Sequence, residues 1–177
     1  FLPRHSYAIT GANGSGKSTL LQVIAGAVLH SEGKVQYSND NTAITDPYIH
    51  MAIAAPYLEL VEEMTATEML GFHAAFKPLT SPPGAILEAV QLDKAAHKQI
   101  RYFSSGMKQR LKLAQAFFSN TPVLLLDEPT TNLDQEGIAL YRNLIQAQLG
   151  RKLIIISSNV EAEYDFCDEM IKRVITS

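Results

Sequence analysis

A single cysteine, Cys167, occurs among the 177 residues. It has no second thiol to pair with inside the chain, which excludes a disulfide framework, suits a reducing compartment and leaves it as a small buried or half-buried residue. Long apolar runs are missing as well. None approaches the roughly 20 residues needed to cross a bilayer, and the amino-terminal stretch lacks the basic segment followed by an apolar one that marks an export signal. The chain therefore reads as cytoplasmic, reaching a membrane only through a partner. Positive charge is scarce too: 15 Lys and Arg stand against 18 Asp and Glu, a formal net charge of −3. The basic residues are scattered and form no broad field, so no nucleic-acid partner is expected. There is no internal repeat and no low-complexity segment. Position 1 is Phe1 rather than Met, and a strand begins almost at once, a pattern that suggests a fragment without its leading strands.

What the chain does have is length for one substantial core and an ordinary apolar fraction, 46%. Its most informative stretch is Gly11-Ala12-Asn13-Gly14-Ser15-Gly16-Lys17-Ser18-Thr19, which fits the phosphate-binding pattern G-x-x-x-x-G-K-S. The flanks are of the right kind, since Tyr7 to Thr10 reads as a strand and Leu20 to Ala27 as a helix. Gly11, Gly14 and Gly16 allow turn conformations in which successive N–H groups face a bound polyphosphate. The loop opens into a helix amino end, where unpaired donors and the helix dipole favour an anion. Lys17 is placed to reach the β- and γ-phosphates and the Ser18 hydroxyl to hold Mg²⁺. A chance glycine-rich turn is the bland alternative, and the features below weigh against it.

Farther along, Ser31-Glu32-Gly33 reads as a turn, Lys34 to Ser38 as a strand, Ser38 to Pro47 as a polar loop, and Tyr48 to Ala54 as a strand stopped by Pro56. Composition then turns helical. Thr65-Ala66-Thr67-Glu68 has capping-box form, with Met69, Leu70, Phe72 and Phe76 as the apolar side of the helix that follows. Thr80 to Gly84 reads as a linker and Ala85 to Leu92 as a second helix. A third runs from Gly106 to Phe118, with Met107, Leu111, Ala114 and Phe118 on one face, which leaves Lys108, Arg110 and Lys112 to solvent. Val123 to Leu126 is a continuous apolar run, as in a strand buried on both faces of a parallel sheet. Gln135 to Leu149 reads as a helix with Ile138, Tyr141, Ile145 and Leu149 inward and Gly150 at its end. Leu153 to Ile156 is a buried strand, Val160 to Phe166 a short helix and Met170 to Ile175 an edge strand.

This order predicts an α/β protein of the P-loop NTPase kind, a mostly parallel sheet with an inserted helical sub-domain. Residues 1–56 and 121–177 form the catalytic core and residues 57–120 the insertion. Asp127 and Glu128 fall just beyond the carboxyl end of a buried strand, the edge at which open α/β sheets bind ligands. Asp127 is placed to hold Mg²⁺, and Glu128 to orient or deprotonate an attacking water.

Taken together, Gly11 to Thr19, Phe103-Ser104-Ser105-Gly106-Met107-Lys108-Gln109-Arg110, Leu124-Leu125-Leu126-Asp127-Glu128-Pro129-Thr130 and Asn132-Leu133-Asp134 resemble the Walker A, signature, Walker B and D-loop motifs of the ATP-binding cassette family. Order and separations match over nearly the whole chain. The resemblance implies a nucleotide-binding subunit that hydrolyses ATP to power a membrane transporter. It binds ATP through Gly11, Asn13, Gly14, Ser15, Gly16, Lys17, Ser18 and Thr19, with Ser18 and Asp127 at Mg²⁺ and Glu128 and Lys17 as catalytic groups. It also implies an ATP-dependent head-to-tail homodimer in which Ser104 and Gly106 cap the γ-phosphate held by the other copy and Asp134 lies at the interface. A membrane-spanning permease would hold the subunit at the inner face of the membrane, with the Tyr57 to Met64 region passing on its motion.

Several positions depart from the family pattern. Ser105, Met107 and Phe103 replace the usual Gly, Gln and Leu of the signature. Where the family has Thr-His at the switch, this chain has Ser158-Asn159, and none of its five histidines falls there. Asn159 can hydrogen-bond a phosphate oxygen but carries no proton at neutral pH. Pro56-Tyr57 stands where Pro-Gln is usual, and Glu59 reads as an ordinary exposed acid. The family's adenine-stacking aromatic lies upstream of the phosphate loop, so Phe1 and Tyr7 are not assigned that role. These departures keep open a slow or non-hydrolysing regulatory ATP-binding module. A soluble cassette ATPase is also left open for a fragment, although Thr19 to Ser104 is too short for the long coiled-coil arm of repair members and only one cassette is present.

Overall fold

The computed structural model describes residues 1–39 and 42–172. In chain order these form β1 (Ser6–Thr10), α1 (Lys17–Ile24), a two-residue pair β2 (Ser38–Asn39) and β3 (Thr42–Ala43), β4 (Met51–Ala54), helices α2 (Ala66–Phe76), α3 (Pro83–Ala89) and α4 (Ser105–Phe117), then β5 (Val123–Asp127), α5 (Gln135–Gln146), β6 (Leu153–Ser157) and β7 (Glu169–Lys172). Five strands make one sheet in the order β4-β5-β6-β1-β7, every neighbouring pair parallel. All five carboxyl ends therefore lie along one edge.

The apolar runs explain the layering. Alternate side chains of a strand point to opposite faces. Leu124, Leu126, Ile154 and Ile156 pack on one face against Leu113 and Phe117 of α4 and Tyr141 and Ile145 of α5. Leu125 and Ile155 take the other face with Ile9, under Leu21 and Ile24 of α1. Covered on both sides, these strands can be apolar throughout. A separate cluster holds α2, α3 and the amino half of α4 together around Leu70, Ile86, Leu87, Ile100 and Leu111. Helix α2 starts with the expected capping box, in which Glu68 and Thr65 satisfy each other's backbone N–H.

Five local expectations are corrected. No strand covers Lys34 to Tyr37, because the Tyr37 hydroxyl is turned to the Val23 and Ile24 carbonyls at the end of α1; only Ser38 and Asn39 pair, with Thr42 and Ala43. The strand expected from Tyr48 begins at Met51, since Pro47 has no N–H to give a ladder and opens a 3₁₀ turn over Pro47–His50. Phe72 and Phe76 lie outward, 46% and 70% exposed, edge to face with each other, while Ala66, Met69 and Leu70 do the packing. The second insertion helix starts two residues early, at Pro83, where a missing N–H costs nothing, and ends at Ala89 before Gln91 turns left-handed. Val160 to Phe166 holds only a 3₁₀ turn, Glu161–Glu163, drawn against α5 by side-chain contacts. Of the expected edge strand, residues 173–175 lie outside the described residues, as do Asp40 and Asn41 of the polar loop.

At the amino end of β1, Asp168 accepts from the Ser6 backbone N–H (2.8 Å) and hydroxyl (2.7 Å). Beside it Cys167 is half-buried, and burial with the Asp168 charge pushes its thiol up to about 12, an inert thiol. The Ser6 hydroxyl, and after it the Ser6 N–H, hold Asp168 below its ordinary 3.8. A depressed carboxylate stabilises the folded chain above the unfolded value, and that contribution is lost as pH falls through the folded one. Melting temperature measured across about pH 5 to pH 1 should therefore fall less steeply in Ser6→Ala than in the wild type.

Candidate active site

Beyond Thr10 the chain turns across the carboxyl edge of the sheet. Gly14 and Gly16 both have φ near +78°, where a Cβ is strained, and Gly16 is the residue at which α1 begins. No side chain caps α1 and no acid lies in its first turn. Its amino end is thus left with free donors and an unneutralised dipole, the conditions for holding an anion. The buried Lys17 ammonium lies against the loop, donating to the carbonyls of Gly11 (2.8 Å) and Ala12 (3.2 Å). A cleft of about 260 Å³ opens above, lined by Asn13, Gly14, Gly16, Lys17, Ser18 and Thr19, with Glu128 on its wall.

Strand β5 delivers the two carboxylates. Asp127 is buried, and its Oδ1 has no partner among the described residues. The same is true of the Ser157 hydroxyl, its register partner on β6, and of the Ser15 hydroxyl in the loop. Orphaned buried polar atoms are rare in folded proteins and mark places where an ion or water belongs. Three of them come from the carboxyl edge and the loop that follows β1. Ser18 and Asp127 offer only oxygen, which suits Mg²⁺, a cation usually held by one or two protein groups together with phosphates. Among the described residues no cluster of three or more His, Cys, Asp or Glu could hold a metal without such help. The residues present therefore fit a triphosphate with Mg²⁺.

Asn159, at the switch position, is occupied by the loop itself. Its Oδ1 accepts from the Gly11 N–H (3.3 Å) and its Nδ2 donates to Asn13 Oδ1 (2.7 Å). Tyr57, where the family has Gln, is 41% exposed, and its phenol is raised by burial and by the Asp127 charge, with a Gln22 hydrogen bond acting the other way. A phenol so placed keeps its proton and cannot act as an amide ligand. Glu59 is exposed and does not line the cleft, and Tyr7 is only 4% exposed, so it has no free face for stacking.

The signature residues lie elsewhere. Ser104 caps α4, its Oγ accepting from Met107 N–H (3.2 Å), and Asp134 caps α5, Oδ1 accepting from Gly137 N–H (2.8 Å) and from Arg110 (3.0 Å). The two groups meet, since a Cβ on Gly106 would stand 3.0 Å from the Asn132 carbonyl oxygen. Neither Ser104, Gly106 nor Asp134 lines the cleft over the phosphate loop of its own chain. The basic residues of α4, expected in solvent, are engaged: Lys108 pairs with Glu62, and Lys112 donates to the carbonyls of Pro56 (2.8 Å) and Ala55 (3.4 Å). Gln109, buried, donates to the Pro129 carbonyl (2.8 Å) just past Glu128. Periodicity places these side chains off the apolar face but says nothing of the loops that meet them.

The profile of the family described as "ABC transporter" matches residues 2–131. The chain belongs to that family. A relative in Xylella fastidiosa, "Cytochrome c biogenesis ATP-binding export protein CcmA", is 35% identical over 151 residues, 83% of this chain and 67% of that protein. "Uncharacterized ABC transporter ATP-binding protein YxlF" of Bacillus subtilis is 33% identical over 171 residues, 93% of this chain and 57% of that protein. Among solved structures, the dimeric post-hydrolysis state of the ATP-binding cassette MJ0796 bound to ADP and Pi is similar with a TM-score of 0.82 and 22% identity, covering 97% of this chain and 82% of that one. Likeness at that identity speaks for the fold. The chain is thus an ABC nucleotide-binding ATPase domain, with the ATP-powered role in transport of its family. No helix among the described residues is long and apolar enough to cross a membrane.

The contact at Gly106 can be checked directly. Gly106→Ala forces its new methyl against the Asn132 carbonyl, and overpacking of this kind costs about 1–3 kcal/mol. Urea unfolding should show that loss, while Gly84→Ala, in open space on an insertion helix, should not.

Proposed function

We propose that this ABC subunit binds ATP with Mg²⁺ in the cleft above Gly11 to Thr19 and hydrolyses it with Glu128 as general base. The observation that carries the reading is the shared cleft: an uncapped helix amino end and Lys17 form its floor, and Glu128 stands on its wall. The loop amides and Lys17 grip the phosphates and counter the charge that builds up on them. Ser18 and Asp127 would hold Mg²⁺, which would supply further neutralisation of the phosphate charge. The Glu128 carboxylate takes a proton from a water whose oxygen bonds to the γ-phosphorus as the bond to the ADP oxygen breaks.

Residues 1–56 and 121–177 act as the core and residues 57–120 as a helical sub-domain. Two copies close head to tail on ATP, each lending Ser104 and Gly106 to the other's phosphate and Asp134 to the interface. Ser104 and Asp134 are exposed and away from their own cleft, as that arrangement requires. A permease seats on the mostly apolar cleft of about 300 Å³ lined by Val28, Tyr48, Tyr57 and Leu58 and holds the subunit at the cytoplasmic face of the membrane. The exposed Phe72 and Phe76 on α2 add to the apolar surface available to it. No nucleic acid takes part.

A second reading, a slowly hydrolysing regulatory module, is favoured by one observation: the Asn159 amide is committed to Gly11 and Asn13. Phosphate release by Asn159→His separates the two. A rise of about tenfold or more supports the slow reading, whereas brisk wild-type turnover removes it.

Lys17→Ala should weaken ATP binding, read by calorimetry, by at least about tenfold, the scale of a charge-assisted hydrogen bond. Glu128→Gln should lower kcat by at least about a hundredfold and accumulate an ATP-bound dimer on size exclusion. Equal dimer with and without ATP in that variant would refute the head-to-tail reading.

A further inference from the structure

Glu163 is a carboxylate with 2% of its surface exposed, and among the described residues no Lys or Arg pairs with it. A buried charge without a cation is costly, and it survives only where hydrogen bonds hold it. Those bonds come from one residue. Oε1 accepts from the Thr130 backbone N–H (2.8 Å) and from the Thr130 hydroxyl, while Oε2 has no partner among the described residues. The turn that carries Glu163 is clamped to α5: the buried Tyr141 hydroxyl donates to the Glu163 carbonyl (2.7 Å), and Arg142 donates to the Ala162 carbonyl (3.1 Å) and pairs with Asp165. Glu163 is thus a fixed post, and Thr130 hangs from it.

Thr130 is two residues past Glu128, in a turn closed by the Thr131 N–H on the Glu128 carbonyl (3.1 Å). Glu128 itself has φ +43°, a left-handed conformation uncommon for a residue with a side chain. Backbone of that kind persists where its surroundings over-determine it. Three contacts do so here. The Glu128 N–H donates to the Ser157 carbonyl (2.9 Å), Gln109 donates to the Pro129 carbonyl (2.8 Å), and Glu163 receives both Thr130 donors. The last is the only one with a charged acceptor, and charge-assisted hydrogen bonds are about twice as strong as neutral ones.

We propose that Glu163 is a positioning residue of the ATPase: it holds the turn after β5 so that Glu128 faces the cleft over the phosphate loop. Because Glu163 lies four residues beyond Asn159, the segment after β6 is pinned to the phosphate loop at one end and to the Glu128 turn at the other. The proposal rests on the reading of Glu128 as the base.

The test uses the full chain in two arms. Glu163→Ala removes the acceptor; Glu163→Gln keeps the shape and an acceptor oxygen for both Thr130 donors. In the first arm, amide hydrogen exchange over residues 128–131 should speed up at least about tenfold in Glu163→Ala and stay near wild type in Glu163→Gln. Unchanged exchange in Glu163→Ala overturns the proposal whether or not the protein turns over ATP. In the second arm, Glu163→Ala should lower kcat by about tenfold to a hundredfold with ATP affinity kept within about threefold, and Glu163→Gln should recover most of the rate. Added to Glu128→Gln, Glu163→Ala should cost nothing further; an equal fold-loss in that background overturns the proposal. Should Glu163→Ala not fold, Thr130→Val removes one of the two donors and is held to the same outcomes. A wild type that binds ATP but releases no phosphate would sink the ATPase reading, and the exchange arm would then decide this one alone.

Discussion

A helix that begins without a cap has backbone donors to satisfy, and α1 begins with none of the usual means. Gly16 supplies no side-chain oxygen, the first turn holds no acid, and the loop before it bends through left-handed glycines. The amino end of α1 therefore carries an unmet demand for negative charge at a fixed point. Much of the rest follows from where that point lies. It sits at the carboxyl edge of a sheet whose strands all run the same way, so β5 brings Asp127 and Glu128 to the edge and β6 brings Ser157 and Asn159. Of these groups Glu128 lines the cleft above α1 directly.

A second constraint is the tying of the helical insertion to that edge. Lys112 of α4 holds the carbonyls just past β4, Gln109 of α4 holds the turn just past β5, and Gly106 at the start of α4 leaves room for the Asn132 carbonyl. The exposed pairs around them, such as Arg101 with Glu63, contribute little. Buried or half-buried contacts to backbone carbonyls contribute more, since removing the donor strands an acceptor. The result is that α4, which carries the signature residues, is connected at its amino half to the loops that shape the cleft.

The phosphate loop, the cap at Thr65 and the buried strands were all legible from the residues, and so was the carboxylate pair at the end of β5. Each depends on neighbours a few positions apart: a glycine where a turn needs one, an acceptor just before a helix with an acid three residues on, an unbroken apolar run. Boundaries were less legible where a side chain had a distant use. Tyr37 left its expected strand to satisfy the end of α1, and Phe72 and Phe76 kept helical spacing yet lie on the outer side. A repeat of apolar residues says that a face exists but not what covers it.

By itself, the order of residues determined the fold class, the family and the glycine-rich loop between β1 and α1, because those are written in short-range pattern and in motif spacing. The tertiary structure decided who meets whom. Asn159 rests on Asn13 from 146 positions away, Lys112 on Pro56 from 56 and Glu163 on Thr130 from 33. Such contacts exist only after strands have taken their order in the sheet and helices their faces. Where such a contact is buried, as at Glu163, the free energy that selects it comes from polar groups that must find partners once out of water, a requirement no local stretch can express.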